Sequence, residues 1–336
     1  MRLSEVGEFG LIARLARLIG GREGDASGIV LGIGDDAAAF RPAPGRLLIA
    51  TADMLVEEVH FRRDWMSARD LGWKSLAVNL SDCAAMAAEP CFALACVALE
   101  KETAVATVEE LYAGMQELAT HFGVRLAGGD TVRARGGQVI AVTAIGDVAP
   151  EQMATRAGAR PGDVLLVTST LGDSAAGCAA LQAGPAAVAR VPEAVLQAHR
   201  RPWPRVAEAR AAAVTGGLTA LIDLSDGLAS DVRHIGEESG VGAEIDAAAI
   251  PLSPACREAA ACLGLDPLAL ALSGGEDYEL LLAVAPHRVS DVRAAIAATG
   301  TSAVPIGRVV PQGFTLLQPD GTRCPLPGAG FQHFPT

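Results

Sequence analysis

Residues 67–99 read SARDLGWKSLAVNLSDCAAMAAEPCFALACVAL, and this stretch decides the fold class. Ser67-x-x-Asp70 has capping-box spacing and opens a helix that runs to about Met86. The run Phe92–Leu99 that follows is apolar and of strand length. Helix followed by buried strand is the rhythm of an α/β protein, and it recurs on both sides. Leu47–Thr51 and Val139–Ile145 are further strand-length runs. Thr107-x-x-Glu110 predicts another helix, with Val108, Leu111, Met115, Leu118 and Phe122 on one face and Gly123 as its C-cap. The polar, turn-rich segment Pro150–Pro161 (PEQMATRAGARP) separates an expected domain 1–150 from a second, 151–336. In the second, strands are predicted at Asp163–Thr168, Ala220–Leu224 and Glu279–Val284, with helices at Ser174–Leu181 and from Asp226 to about Ser239. Pro185–Pro204 and the Pro- and Gly-bearing C-terminus read as loops and short helices.

Composition narrows the function classes. A chain of 336 residues is long enough for two domains at roughly 150 residues each. Half of it is hydrophobic, which excludes a disordered or collagen-like chain. The longest uninterrupted apolar run, Cys91–Leu99, is too short to span a bilayer. Met1–Gly10 already carries Glu5 and Glu8, unlike a secretory leader, so a soluble protein without a membrane role is expected. A net charge of −12 with no basic run argues against nucleic acid as a partner. Lys74 and Lys101 are the only lysines, and neither follows a Gly-rich loop, which excludes a Walker-type phosphate loop. The seven cysteines are scattered and never C-x-x-C, so they read as core residues in a reducing cytoplasm.

The acidic residues fall beside apolar runs: Gly34-Asp35-Asp36-Ala37, Thr51-Ala52-Asp53, Asn79-Leu80-Ser81-Asp82, Gly128-Gly129-Asp130-Thr131, Asp223-Leu224-Ser225-Asp226-Gly227 and Ser273-Gly274-Gly275-Glu276-Asp277. Strand ends are where α/β proteins build ligand sites. Carboxylates gathered without lysine, histidine or cysteine suit hard divalent cations, above all magnesium, which bridges phosphate oxygens. Each motif also has an ordinary reading. Asp35-Asp36 makes a turn as readily as a site, and Asp53 is either a helix cap or a ligand. Asp82 interrupts an apolar helix and needs a metal, a cation or a cap to offset its burial. Gly-Gly-Asp admits a phosphate to the backbone but also makes turns. Ser225 and Asp226 fit an N-cap, a role compatible with phosphate binding. His60 is more simply structural, Arg156 a solvated charge, and Tyr112 a core-edge residue.

Taken in order, these motifs resemble the thiamine-monophosphate kinase family. The resemblance rests on the acidic segments above together with Val59-His60-Phe61, Thr155-Arg156-x-Gly158 and Tyr278-Glu279-Leu280. It runs from Gly7-Glu8-Phe9 to Gly330-Phe331-Gln332-His333-Phe334. It implies a two-domain α/β and α+β architecture, the aminoimidazole-ribonucleotide-synthetase-like fold. An N-terminal α/β domain would pair its sheet with a twin in a homodimer, and a C-terminal α+β domain would complete the nucleotide and substrate site. It implies phosphorylation of thiamine monophosphate to thiamine diphosphate by ATP with several Mg2+ ions. Implied metal ligands are Asp35, Thr51, Ala52 through its carbonyl, Asp53, Asp82, Asp130, Asp223 and Asp226. ATP would meet Tyr112, Gly129, Asp130, Arg156 and Ser225, and the substrate His60, Glu276 and Phe331.

Two positions depart from the family pattern: Ala52 stands where threonine is usual, and Gly10 where glutamate is common. A hydroxyl ligand at 52 would be lost here, whereas a carbonyl ligand would be unaffected. The chemistry fits the resemblance, because the acceptor is already an anionic phosphate oxygen. No single catalytic acid or base is therefore expected, and the work is to bring two anions together in line. Related synthetases fit less well. A selenophosphate synthetase would want a cysteine in its N-terminal segment, yet the first cysteine is Cys83. The purine-pathway enzyme would place a lysine soon after Asp53, where this chain has Met54-Leu55-Val56-Glu57-Glu58. A regulator without activity would be expected to have lost some of the clustered acids.

Overall fold

A computed structural model describes residues 1–18, 28–31 and 38–328. Asp35 and Phe331 lie outside the described residues. The chain divides into two compact units, Met1–Cys83 with Ala88–Pro150, and Ala84–Ala87 with Glu151–Thr336.

The first unit runs α1 (Leu3–Leu18), β1 (Ile29–Leu31), β2 (Ala39–Phe40), β3 (Leu47–Val56), α2 (Ala68–Ala85), β4 (Glu89–Leu99), α3 (Val105–Phe122), β5 (Arg125–Arg133) and β6 (Val139–Val148). Its main sheet has the order β3-β6-β4-β5, antiparallel except for the β4–β5 pair. That parallel pair is joined through α3, as a parallel connection requires. Opposite pairing of Asp53 with Val142 and Leu55 with Ile140 puts Thr51, Asp53 and Leu55 on one face of β3. Ala50, Ala52 and Met54 point the other way and are exposed.

Helices α2 and α3 cross backbone to backbone. A Cβ on Gly72 would lie 1.8 Å from the Leu111 carbonyl oxygen, and one on Gly114 would lie 1.9 Å from that of Arg69. The crossing holds α2, and with it Asn79 and Asp82, against the sheet. Gly114→Ala is therefore expected to cost about 3 kcal/mol, because the neighbours at the crossing are backbone and cannot swing aside. Urea unfolding of the two proteins measures it, and equal midpoints would contradict the crossing.

The second unit contains β7 (Val164–Thr168), α4 (Asp173–Ala183), α5 (Pro185–Val188), α6 (Glu193–Arg200), α7 (Val206–Val214), β8 (Leu218–Asp223), α8 (Leu228–Ser239) and β9 (Gly242–Asp246). It continues with α9 (Pro254–Leu263), α10 (Pro267–Ser273), β10 (Leu280–Val284), α11 (Val289–Ala297), β11 (Ala303–Val310), β12 (Phe314–Leu317) and β13 (Arg323–Pro325). The strands form one sheet in the order β13-β12-β9-β11-β7-β10-β8, antiparallel except between β9 and β12. Val167, Ile222, Leu281 and Ile306 from the sheet form one core with Leu228, Val232 and Ile235 of α8. β10 is buried along its whole length, which explains its unbroken Leu280–Val284 run. The C-terminal stretch expected to be loops and short helices instead supplies three strands, β11 to β13. Its prolines fall where strand pairing tolerates them: Pro305 lies at a register shift and Pro325 ends an edge strand.

No helix among the described residues is long and apolar enough to cross a membrane. All seven cysteines are free thiols.

Candidate functional site

In the first unit the acidic residues meet between β3 and α2. The Thr51 hydroxyl donates to Asp82 Oδ2, and the Asp53 backbone N–H donates to Asn79 Oδ1 at 3.0 Å. Asn79 is fully buried and anchors itself by donating from Nδ2 to the Ser75 carbonyl at 3.0 Å. Helical spacing explains the set, since residues 75, 79 and 82 share one face of α2. Burial, with the negative charge of Asp82 next in weight, pushes the Asp53 carboxyl up to about 6. Two carboxylates and a hydroxyl are hard oxygen donors, the chemistry a Mg2+ ion takes.

Asp53 lies within β3 and not at a strand end as the sequence suggested, whereas Asp82 lies in the last turn of α2, the helix in which the sequence placed it. Thr51, Ala52 and Asp53 sit in the middle of β3, and Gly129 and Asp130 lie inside β5. A Cβ on Gly129 would stand 1.8 Å from the Ala95 carbonyl oxygen, so strand packing alone already requires glycine there. Ala52 turns its methyl group to the sheet face opposite Asp53 and can offer an ion only its carbonyl. Tyr112 is buried on α3, donates to the Ala95 carbonyl at 3.4 Å, and has its hydroxyl pushed well up by burial and by the charges of Cys96 and Asp130. It is thus a core residue whose hydroxyl neighbours Asp130.

His60 belongs to the turn after β3. Its Nδ1 accepts the Val56 backbone N–H at 3.0 Å, which leaves the proton of the neutral ring on Nε2. The turn is tight, with Glu58 at φ 67°.

In the second unit Asp223 ends β8, and Ser225 and Asp226 occupy the turn into α8. Ser225 does not cap this helix. The N-cap is Gly227, and the Asp231 carboxylate accepts the backbone N–H groups of Asp226 at 3.2 Å and Gly227 at 3.1 Å. Asp231 is pushed up to about 8, chiefly by burial and then by the charges of Asp223 and Asp226. Asp226, Asp231 and His234 bring one ligand atom each within 4.8 Å of one another. Sequence reading passed over Asp231 and His234, although their i, i+3 spacing on the helix after Asp226 was available as a signal. Arg156 is exposed, and its carbonyl accepts the Ser239 hydroxyl at 3.0 Å.

Glu276 follows α10 in a strained loop, at φ 57° with Tyr278 at φ 51°. Its backbone N–H donates to the Ser225 carbonyl at 2.7 Å, and that of Tyr278 to Leu224 at 2.8 Å. The segment carrying Glu276 is thereby stitched to the one carrying Ser225. Nearby, Asp277 accepts the Gly172 N–H at 2.9 Å at the start of α4, and burial pushes its carboxyl well above the usual range. Glu279 is locked by Arg205, whose Nη2 stands 2.6 Å from Oε1, and by the Thr168 hydroxyl at 2.6 Å. That network is structural.

The two folds carrying these groups match known domains. The family model for the AIR synthase related protein, N-terminal domain, matches residues 34–148, and that for the C-terminal domain matches residues 160–317. A thiamine-monophosphate kinase of Mycobacterium tuberculosis is 41% identical over 280 residues, 83% of this chain and 81% of the relative. The chain belongs to the thiamine-monophosphate kinase family. It is accordingly a kinase with the two-domain AIR-synthase-related architecture that the sequence motifs suggested. The thiamine-monophosphate kinase of Stenotrophomonas maltophilia superposes with a TM-score of 0.81 at 36% identity, covering 94% of this chain and 97% of that one. AaThiL complexed with AMPPCP and TMP superposes with a TM-score of 0.75 at 31% identity, covering 99% of each chain.

Proposed function

We propose that this kinase transfers the terminal phosphoryl group of ATP to thiamine monophosphate, giving thiamine diphosphate by direct in-line transfer. Two relatives support the substrates: the M. tuberculosis enzyme by its name, and AaThiL by its complex with AMPPCP and TMP. The observation in this chain that carries the reading is the pairing of Asp53 with Asp82. The two carboxyls stand near each other, with Asp82 accepting the Thr51 hydroxyl and the Asp53 backbone tied to Asn79, and burial first, then the charge of Asp82, raises the Asp53 carboxyl. Divalent cations relieve such a pair and recruit phosphate oxygens to it.

Thr51, Asp53, Asp82 and the Ala52 carbonyl would hold Mg2+ in the first unit, with Asp223 and Asp226 doing so in the second. Asp130, which the register aligns with Cys96 and Met54 on the other sheet face, is assigned to Mg2+ on its motif alone. The oxygen-donor set fits that ion. When bound, Mg2+ would neutralise charge on the phosphates. The chain's own groups then have modest tasks. His60 keeps an Nε2 proton to donate to a substrate oxygen, and Glu276 supplies a carboxylate to the substrate's cationic end. Tyr112, Gly129, Arg156 and Ser225 are assigned to ATP. No side chain is needed as a base, because the acceptor oxygen is already anionic. A second copy of the chain would cover the open face of the first sheet, which exposes Leu48, Met54 and Val132 beside Ala50 and Ala52. A cytoplasmic setting suits the free thiols.

The test is direct. Purified protein with ATP, Mg2+ and thiamine monophosphate should yield thiamine diphosphate, resolved by chromatography, and omission of Mg2+ should abolish it. Binding of both ligands by calorimetry without any product would instead identify a nucleotide-binding regulator.

A further inference from the structure

We propose that His199 is a positioning residue for Glu276, fixing its carboxylate for the cationic aminopyrimidine–thiazolium end of the substrate. The role rests on the substrate assignment of Glu276 given above. His199 lies near the end of α6 and is 1% exposed. Its Nδ1 stands 3.2 Å from Glu276 Oε2 and 3.3 Å from the Ser174 hydroxyl oxygen. An ionised carboxylate only accepts, so Nδ1 carries the proton and donates to Glu276, with Ser174 Oγ as a second acceptor. Ser174 is itself buried in the first turn of α4, so the imidazole is gripped from two elements. The Glu276 side chain remains 26% exposed, enough to meet a ligand.

The backbone shows that this direction is imposed. Glu276 is held at φ 57°, a left-handed conformation that a non-glycine residue adopts only when its surroundings impose it. Its N–H is tied to Ser225, so the main chain is fixed at one end and His199 fixes the side chain at the other. A glutamate otherwise surrenders considerable rotamer freedom when it binds a ligand. With His199 in place, that loss is met on folding and not on substrate binding.

Three variants and one cycle test it. His199→Leu keeps bulk and removes the donor, and the KM for thiamine monophosphate should rise about tenfold, the value of the regained rotamer freedom. The KM for ATP should stay within about twofold, since Glu276 is assigned to the other substrate. His199→Asn places an amide N–H where Nδ1 stands and should recover most of the loss. His199→Gln keeps a polar group but moves the donor away from the Nδ1 position, and should not. In a Glu276→Ala background His199→Leu should add nothing, because the two act through one carboxylate.

An unchanged KM for thiamine monophosphate in His199→Leu, equal rises for both substrates, or full additivity in the cycle would overturn the positioning role. So would failure of the chain to fold with leucine, glutamine and asparagine alike, which would mark His199 as purely structural. The wild-type control separates this from the substrate assignment. Absence of thiamine diphosphate from the wild type defeats the proposed function, whereas a working wild type with an indifferent His199→Leu defeats only the positioning role.

Discussion

Asp82→Asn is expected to lower turnover about a thousandfold while leaving the protein folded. Asp82 projects from α2 and accepts the Thr51 hydroxyl, a bond that an asparagine Oδ1 can also accept. The shape of the site therefore survives. What goes is one anionic oxygen from a donor set in which Asp53 already feels its charge. If the pair exists to gather Mg2+ and the two phosphate groups, half of its charge is lost at the point where charge is needed. The Mg2+ concentration giving half-maximal rate should rise together with the fall in kcat. Thermal stability should hold or increase, because a like-charge contact is relieved. Steady-state kinetics across a Mg2+ series, with a melting curve beside it, reads all three. Turnover and Mg2+ dependence both equal to wild type would remove Asp82 from the machinery.

The contrast between what could be read from the sequence and what could not has a physical basis. Periodicity is a local signal, and it located α2, α3 and the strands around them well. Ser67 and Asp70 do form the expected capping box, with the Asp70 N–H donating to Ser67 Oγ at 3.1 Å. Gly123 ends α3 in the left-handed conformation, as the pattern implied. The matching inference at Thr107 failed because α3 starts earlier, at Val105 after an Ala104 N-cap with no side-chain bond. The reach of β3 was underestimated for a related reason. Thr51 to Val56 mixes polar and apolar residues because one strand face meets α2 and the other is open, so the apolar run breaks while the strand continues.

The candidate site divides in the same way. Which acids lie in motifs was visible, but which of them touch depended on the α2–α3 crossing at Gly72 and Gly114, a contact between segments remote in sequence. Asp231 and His199 escaped notice because each sits in an unremarkable helical pattern. Their partners, the Asp226 and Gly227 N–H groups and the Glu276 carboxylate, are supplied by the fold.

Without Mg2+, the protein should be less stable at pH 8 than at pH 5 as far as Asp53 is concerned, and Mg2+ should reverse the order. The sign follows from linkage. Asp53 titrates near 3.8 in the unfolded chain and at about 6 in the folded one, so the folded state holds its proton more tightly. As pH rises between these values the unfolded chain ionises first, and stability falls by up to about 3 kcal/mol. Above pH 6 the loss is complete and the site is a charged, strained pair. Asp231, at about 8, adds a loss of the same sign extending to higher pH. Mg2+ requires the ionised carboxylates, so its stabilising effect should be small at pH 5 and large at pH 8. Asp53→Asn isolates the first group. It should raise the melting temperature of the metal-free protein at pH 8 by about 5 °C and change it little near pH 4. It should also remove most of the further rise that Mg2+ gives the wild type at pH 8. A melting temperature in Asp53→Asn that is unchanged at pH 8 without metal, or a Mg2+ response as large as the wild type's, would show that Asp53 neither bears this strain nor holds the ion. The stability forgone by the metal-free protein is then the measure of how strongly the folded chain is committed to binding the ion.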